Sequence, residues 1–191
     1  HKNSTKNISS YDSYNYSVAA AKNYATTYAA VANRAVYPVY SSDCTNFVSQ
    51  CLKAGGIPME GTNSTTGVYS STSKWYCKCT YDSGANAVNA RQYAVTTSWI
   101  RVSDFNTYMT TVAKAKTTKT SQSALYNSCR IGDVVQLVST TSGSPYHTVI
   151  ITKRDTNAGM AYYSAHSSNK KNEPISTIFL NTNKVILFDF T

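Results

Sequence analysis

Charge is scarce in this chain of 191 residues: 14% are Asp, Glu, Lys or Arg, with nine acidic residues against eighteen basic ones. The net charge of +9 attracts polyanions, and nucleic acid, anionic lipid and anionic cell-wall polymers all qualify. The basic residues are scattered and form no tract or stacking motif, which speaks against a nucleic-acid reader. No apolar run approaches the length of a bilayer span, so no membrane crossing is expected. The opening His1-Lys2-Asn3-Ser4-Thr5 is not a signal peptide, and an exported form of this chain would be mature or trimmed. Internal repeats and linkers are also lacking. That leaves a polar lead-in over 1–11, which carries His1, and one domain over 12–191 with a single core, expected to be monomeric. Polarity comes instead from Ser, Thr, Asn and sixteen Tyr, a hydroxyl- and amide-rich style that suits a secreted protein.

Cysteines are few and odd in number, at 44, 51, 77, 79 and 129. Outside the cell this fits one free thiol and up to two disulfides among Cys51, Cys77, Cys79 and Cys129, in any of three connectivities. A direct Cys77–Cys79 bond would be strained. A lone Cys-x-Cys without a second matched pair is a poor zinc template, so no metal and no cofactor is expected.

The most informative stretch is Asp43-Cys44-Thr45-Asn46-Phe47-Val48-Ser49-Gln50-Cys51-Leu52, running on to Gly55-Gly56. It predicts a short helix with Ser42 or Asp43 as its cap and the glycine pair as its stop. Cys44, Val48, Cys51 and Leu52 share one face, so the helix docks on a core. A thiol at a helix start meets unpaired N–H groups and the positive end of the dipole, both of which favour the attacking thiolate form.

Before this stretch, Tyr14 to about Arg34 is Ala-rich and free of Gly and Pro, and predicts a first helix. Residues 60–98 form a long Ser/Thr/Asn/Gly-rich segment, expected as a packed insertion or a substrate-facing loop. Phe105, Tyr108, Met109 and Val112 predict another helix opening at Val102-Ser103, and 114–128 reads as a polar stretch. Strands are expected at 133–138, 147–152, 160–166, 176–180 and 184–190, with turns at Ser142–Pro145, Asp155–Gly159 and Asn181–Asn183. Helices followed by an antiparallel meander make an α+β domain.

A nucleophilic cysteine needs a base and a group that orients the base. Beyond His1 the histidines are His147, at the mouth of a strong strand, and His166, at the end of the next. Hairpin pairing across Asp155–Gly159 is expected to bring the two together beside Cys44.

Asp43-Cys44-Thr45-Asn46-Phe47-Val48-Ser49-Gln50 with Gly55-Gly56 resembles the signature of the putative amidase domain family of bacterial cell-wall proteins. That family is itself similar to the papain-like peptidoglycan hydrolases that include the CHAP and NlpC domains. Tyr37-Pro38, Trp75-Tyr76, Ser98-Trp99, Gly132-Asp133-Val134-Val135, His147-Thr148-Val149-Ile150-Ile151 and Ser164-Ala165-His166-Ser167 are similar in order and spacing, over roughly residues 12 to 180. The resemblance implies a papain-like fold, with N-terminal helices packed on a C-terminal antiparallel sheet. It implies Cys44 as nucleophile and His147 as base, with His166, or else Asn169, as the third group. The Cys44 N–H and the Tyr40 hydroxyl are the expected oxyanion donors, while Asp43 is expected to cap the helix rather than react.

The function expected on this basis is a secreted, wall-associated cysteine hydrolase. It would cut an amide bond of peptidoglycan, either the lactyl–alanine amide or a stem-peptide bond, through a thioester. Its partners would be peptidoglycan and anionic wall polymers, with Trp75, Tyr76 and Trp99 packing on sugar. The alternatives are a non-catalytic wall-binding module and an acyl transferase on the same scaffold.

Overall fold

Ser17 opens the first helix by accepting a hydrogen bond from Ala20 N at 3.1 Å, the usual role of a Ser cap. The computed structural model describes residues 14–87 and 89–191, so the lead-in over 1–11 lies outside the described residues. Helix α1 spans Val18–Tyr28, shorter than the alanine content predicts, and buries Ala21 and Ala25 against α2 (Cys44–Ala54). Small side chains at this seam let the two axes approach closely. At the end of α2 the two glycines serve different ends. Gly56 turns at φ +107°, while at Gly55 a Cβ would lie 2.5 Å from Tyr16 Cε1.

Residues 60–98 are not an irregular loop. They carry β1 (Gly67–Tyr69), β2 (Cys77–Asp82) and β3 (Arg91–Thr96), a three-stranded sheet in which β3 pairs parallel with β1 and antiparallel with β2. Helices α3 (Thr97–Ile100) and α4 (Val102–Thr110) follow. The stretch 114–128 is likewise structured, as β4 (Ala115–Lys119) and α5 (Gln122–Ser128).

The second sheet holds β4, β5 (Val134–Val138), β6 (Pro145–Asp155), β7 (Met160–Ala165), β8 (Lys170–Pro174) and β9 (Val185–Asp189). Its order is β4-β9-β5-β6-β7-β8, antiparallel throughout. Every residue of β5 is buried, as befits a strand covered on both faces. Residues 176–180, expected as a strand, lie instead in a 3-10 helix over Ile175–Leu180. Its buried residues, Ile175 and Ile178, are spaced by three, a helical period rather than the two of a strand.

The α+β class is as expected, and the large sheet divides two apolar clusters. Val134, Ile150 and Phe188 pack toward α1, α2 and α4. Val135, Leu137, Val149, Ile151 and Leu187 pack toward α5 and the 3-10 turn. The expected disulfides are absent, because all five cysteines are free. Cys51 and Cys77 belong to the first cluster and Cys129 to the second, across the sheet. Burial raises the thiols of Cys51, Cys77 and Cys129 and keeps them protonated. Cys79 is exposed, so alkylation would not single out Cys44. No helix among the described residues is long and apolar enough to cross a membrane.

Candidate active site

The polar residues of the Asp43–Gln50 stretch fix the start of α2 from several directions. Asn46 Nδ2 donates to Pro38 O and to Asp43 Oδ1, both at 2.9 Å, while its Oδ1 accepts from Trp99 Nε1 at 2.9 Å and Gln50 Nε2 at 3.1 Å. Ser49 Oγ donates to Trp99 O at 2.9 Å and accepts from Trp75 Nε1 at 3.2 Å. Gln50 Oε1 accepts from the Tyr24 hydroxyl of α1 at 2.6 Å. Each bond is sheltered from water, so a missing partner would cost the desolvation of the group left behind. The motif therefore specifies the position of a helix start.

A chain of hydrogen bonds reaches the thiol itself. Gln136 Nε2, on β5, donates to Val102 O at 3.0 Å and to Thr148 Oγ1 at 3.1 Å. The Thr148 and Thr45 hydroxyls share a hydrogen bond at 3.0 Å, and the Thr45 hydroxyl lies 3.7 Å from Cys44 Sγ. Hydroxyls both accept and donate, so the chain links the β5 amide to the nucleophile without a charged group.

Cys44 is 7% exposed and lines a cavity of about 390 Å³ together with His147, Ser42, Ile100, Arg101, Val102, Tyr146 and Ser167. His147 sits where β5–β6 pairing passes from Leu137↔His147 to Val138↔Pro145, an irregularity that skips Tyr146. Burial lowers its pKa, which favours the neutral imidazole that can take a proton. No hydrogen bond joins Cys44 and His147 in this state; catalytic contacts of unliganded enzymes are often long. A larger cavity of about 650 Å³ lies between residues 34–39 and the β2–β3 hairpin, but neither Cys44 nor His147 lines it. The smaller one holds the nucleophile and base candidates together.

His166 makes no hydrogen bond with His147. The β6–β7 register pairs Ile150 with Ser164, so its continuation sets Thr148, not His147, opposite His166. His166 is instead buried against Phe47, with ring centroids 4.0 Å apart. Its Nδ1 donates to Asp43 Oδ2 and its Nε2 to Tyr28 O, both at 2.6 Å. With the Asp43 carboxyl on one side and the Tyr28 carbonyl on the other, both ring nitrogens are engaged. Neither nitrogen is left to orient His147. Asp43 does not cap α2 through its side chain. Its Oδ1 accepts from Tyr40 N and Asn46 Nδ2, both at 2.9 Å.

Other expected site residues lie elsewhere. Trp75, Tyr76 and Trp99 are buried, with Trp75 and Trp99 packed at 4.6 Å between centroids, and none faces solvent to meet a sugar. Tyr40 does not line the cavity, so its hydroxyl is not in place for an oxyanion. Asn169 Nδ2 donates to Ala30 O at 3.4 Å in an exposed position. The Cys44 N–H remains a candidate donor, because it is among the first amides of α2 and no side chain caps that helix. Gln136, Thr148 and Arg101 carried no signal in the sequence; only the buried polar pairing across strands reveals the first two. Among the described residues no group of His, Cys, Asp and Glu could hold a metal ion.

A thiol at a helix start and a neutral imidazole on a strand, sharing one cavity in an α+β domain, are the components of an acyl-transfer site. The chain belongs to the putative amidase domain family, which it matches over residues 15–189. The coarse description is therefore an amidase-type hydrolase. Comparisons with curated proteins and with solved structures return no match.

Proposed function

We propose that this protein is a cysteine hydrolase that cuts an amide bond of bacterial peptidoglycan, acting outside the cell on the wall. The observation that carries the reading is the shared cavity of Cys44 and His147 in a chain of the amidase family. The Cys44 sulfur attacks the amide carbonyl carbon while His147 takes the thiol proton. The C–N bond then breaks, His147 returns that proton to the leaving amine, and a thioester remains on Cys44. Water attacks the thioester with His147 again as base, releasing a carboxylic acid and the free thiol. The Cys44 N–H faces the developing oxyanion.

His147 acts without an orienting histidine, because His166 is committed to Asp43 and Tyr28. The likeness of the motif to CHAP and NlpC domains supports a papain-like mechanism. The +9 charge supports retention on an anionic wall.

Zymography on purified sacculi tests the reading. Cys44→Ala is expected to lower clearing by about a thousandfold or more while the melting curve stays near wild type. Undiminished clearing by Cys44→Ala would reject the cysteine mechanism, and wall binding without clearing by the wild type would favour a binding module. Mass spectrometry of released fragments separates the bonds: new alanine amino termini identify a lactyl–alanine amidase, and termini within the peptide an endopeptidase.

A further inference from the structure

Among the described residues, the cavity around Cys44 has one permanently charged side chain in its wall. Ser42, Tyr146 and Ser167 are neutral, Ile100 and Val102 are apolar, burial favours neutral His147, and no acidic residue among those described lines it. The charge belongs to Arg101, which is exposed. Among the described residues its guanidinium makes no ion pair and no hydrogen bond.

Its root, in contrast, is rigid. Arg101 N donates to Thr97 O at 2.8 Å, and Arg101 O accepts from Phe105 N at 2.9 Å. On one side Trp99 is tied to α2 through Asn46 and Ser49. On the other side Val102 O is tied to Gln136, the start of the chain that runs through Thr148 and Thr45 toward Cys44. The nucleophile and the cation are thus held by one frame, while the guanidinium itself is unengaged.

We propose that Arg101 is the specificity-determining residue of this site, and that it selects amide substrates bearing a carboxylate next to the scissile bond. The inference rests on the hydrolase reading above. A planar guanidinium recognises a carboxylate through two parallel charge-assisted hydrogen bonds. In an otherwise neutral cavity, nothing competes for that role. A cavity of about 390 Å³ lies in the range of small-ligand sites, roughly 300–1,000 Å³, so an amide at Cys44 brings a carboxylate on the adjoining residue within reach of the wall. A peptide carboxylate is preferred to a phosphate because it is covalently part of the chain being cut.

Two synthetic muramoyl peptides test this, identical except that the residue next to the bond found to be cut carries a free carboxylate in one and a carboxamide in the other. Wild-type protein is expected to favour the carboxylate in kcat/KM by about 10–100-fold, the scale of one charge-assisted pair. In Arg101→Ala the ratio should fall toward one, chiefly through KM of the carboxylate substrate. Arg101→Lys should restore part of it, as a point charge lacking the fork. Added salt should shrink the wild-type ratio.

An Arg101→Ala ratio equal to wild type, or a wild type that does not favour the carboxylate, overturns the proposal. Loss of all turnover in Cys44→Ala alongside that result would leave the hydrolase reading standing. Turnover by Cys44→Ala, or none of either peptide by wild type, would instead sink that reading and this inference with it.

Discussion

The two faces of the six-stranded sheet are built on different principles. Toward α1 and α2, buried polar groups are numerous and partnered: Thr148 with Thr45 and Gln136, Thr152 with Ser164 and Asn172, and His166 with Asp43 and Tyr28. Toward α5 an apolar cluster dominates, with Leu125, Ile175 and Ile178 closing over Val135, Leu137, Val149 and Ile151, and Arg154 bonded to Tyr126 O and Cys129 O at its margin. Apolar packing is non-directional and tolerates small shifts, whereas buried hydrogen bonds fix positions and penalise any arrangement that leaves a group alone. The near face holds Cys44 to a set position, and the far face supplies stability. The near face should therefore be the one where substitutions disturb function and fold together.

The largest expected effect follows from the Asp43–His166 pair. His166→Ala removes two hydrogen bonds, to Tyr28 and to Asp43, one residue before the nucleophile, and a ring stacked on Phe47. Losing a buried ring and leaving buried polar groups without a partner costs about 3–5 kcal/mol, which urea denaturation will read. Activity should fall with stability, because Asp43 also anchors Tyr40 N and Asn46. Were His166 a partner of His147 instead, turnover would drop while the denaturation midpoint stayed put, and the near face would lose its positioning role.

At the far face lies the one buried side-chain polar atom that, among the described residues, has no hydrogen-bond partner. Strand alternation carries Asp133 to the side of Val135 and Leu137; its Oδ2 accepts from Arg130 N at 2.9 Å, while its buried Oδ1 has no partner. Burial, reinforced by the nearby Asp189 carboxylate, raises its pKa from 3.8 to about 7. A carboxyl whose pKa is raised on folding stabilises the fold while protonated in both states, below about pH 4. That contribution is lost as the pH rises through about 7. Asp133→Asn keeps the acceptor for Arg130 N and sets a neutral donor beside Asp189. Wild-type stability should fall by roughly 2–4 kcal/mol between pH 4 and pH 8 relative to the variant, measured by thermal melts across that range. Parallel pH profiles for the two proteins would mean that Asp133 ionises without penalty.

Much of the architecture can be read from the sequence, and the exceptions have physical causes. The Cys44 helix, the Val102 helix and strands β5, β6, β7 and β9 carry apolar periodicity because they border the cores. Strands β4 and β8 are the two edges of the large sheet. They are polar and lysine-containing, as edges that avoid pairing with other chains tend to be, so an apolar pattern could not find them. The region 60–98 misled for a related reason: its small sheet has largely half-buried or exposed strands, and its Trp75 is buried by tertiary packing. Cys44 and His147 were legible as chemistry-bearing residues at element starts. The engagement of His166 was not, since Asp43 and Tyr28 reach it only through the packing of α1 and α2 on the sheet. Thr148 and Gln136 looked like ordinary strand residues, and only the pairing of β5 with β6 turns them into a link between Val102 and Thr45.

A matched pair of mild substitutions gives the finest test of the contrast between faces. Thr148→Val keeps shape but removes the hydroxyl between Gln136 and Thr45, leaving both without that partner; the expected cost is about 1–2 kcal/mol. Ile151→Val, two strand positions on from Val149 in the far cluster, removes one methylene for about 0.5–1.5 kcal/mol. The two variants should therefore be similarly destabilised. They should differ in turnover. With the hydroxyl chain cut, the Thr45 hydroxyl beside Cys44 Sγ loses its anchor on β6, and kcat should fall by roughly three- to tenfold, equivalent to about 1 kcal/mol of barrier. Ile151→Val should leave kcat unchanged at temperatures where both proteins are folded. Equal turnover in the two variants would show that the near-face chain is only another source of stability, and that Cys44 is positioned by its helix alone.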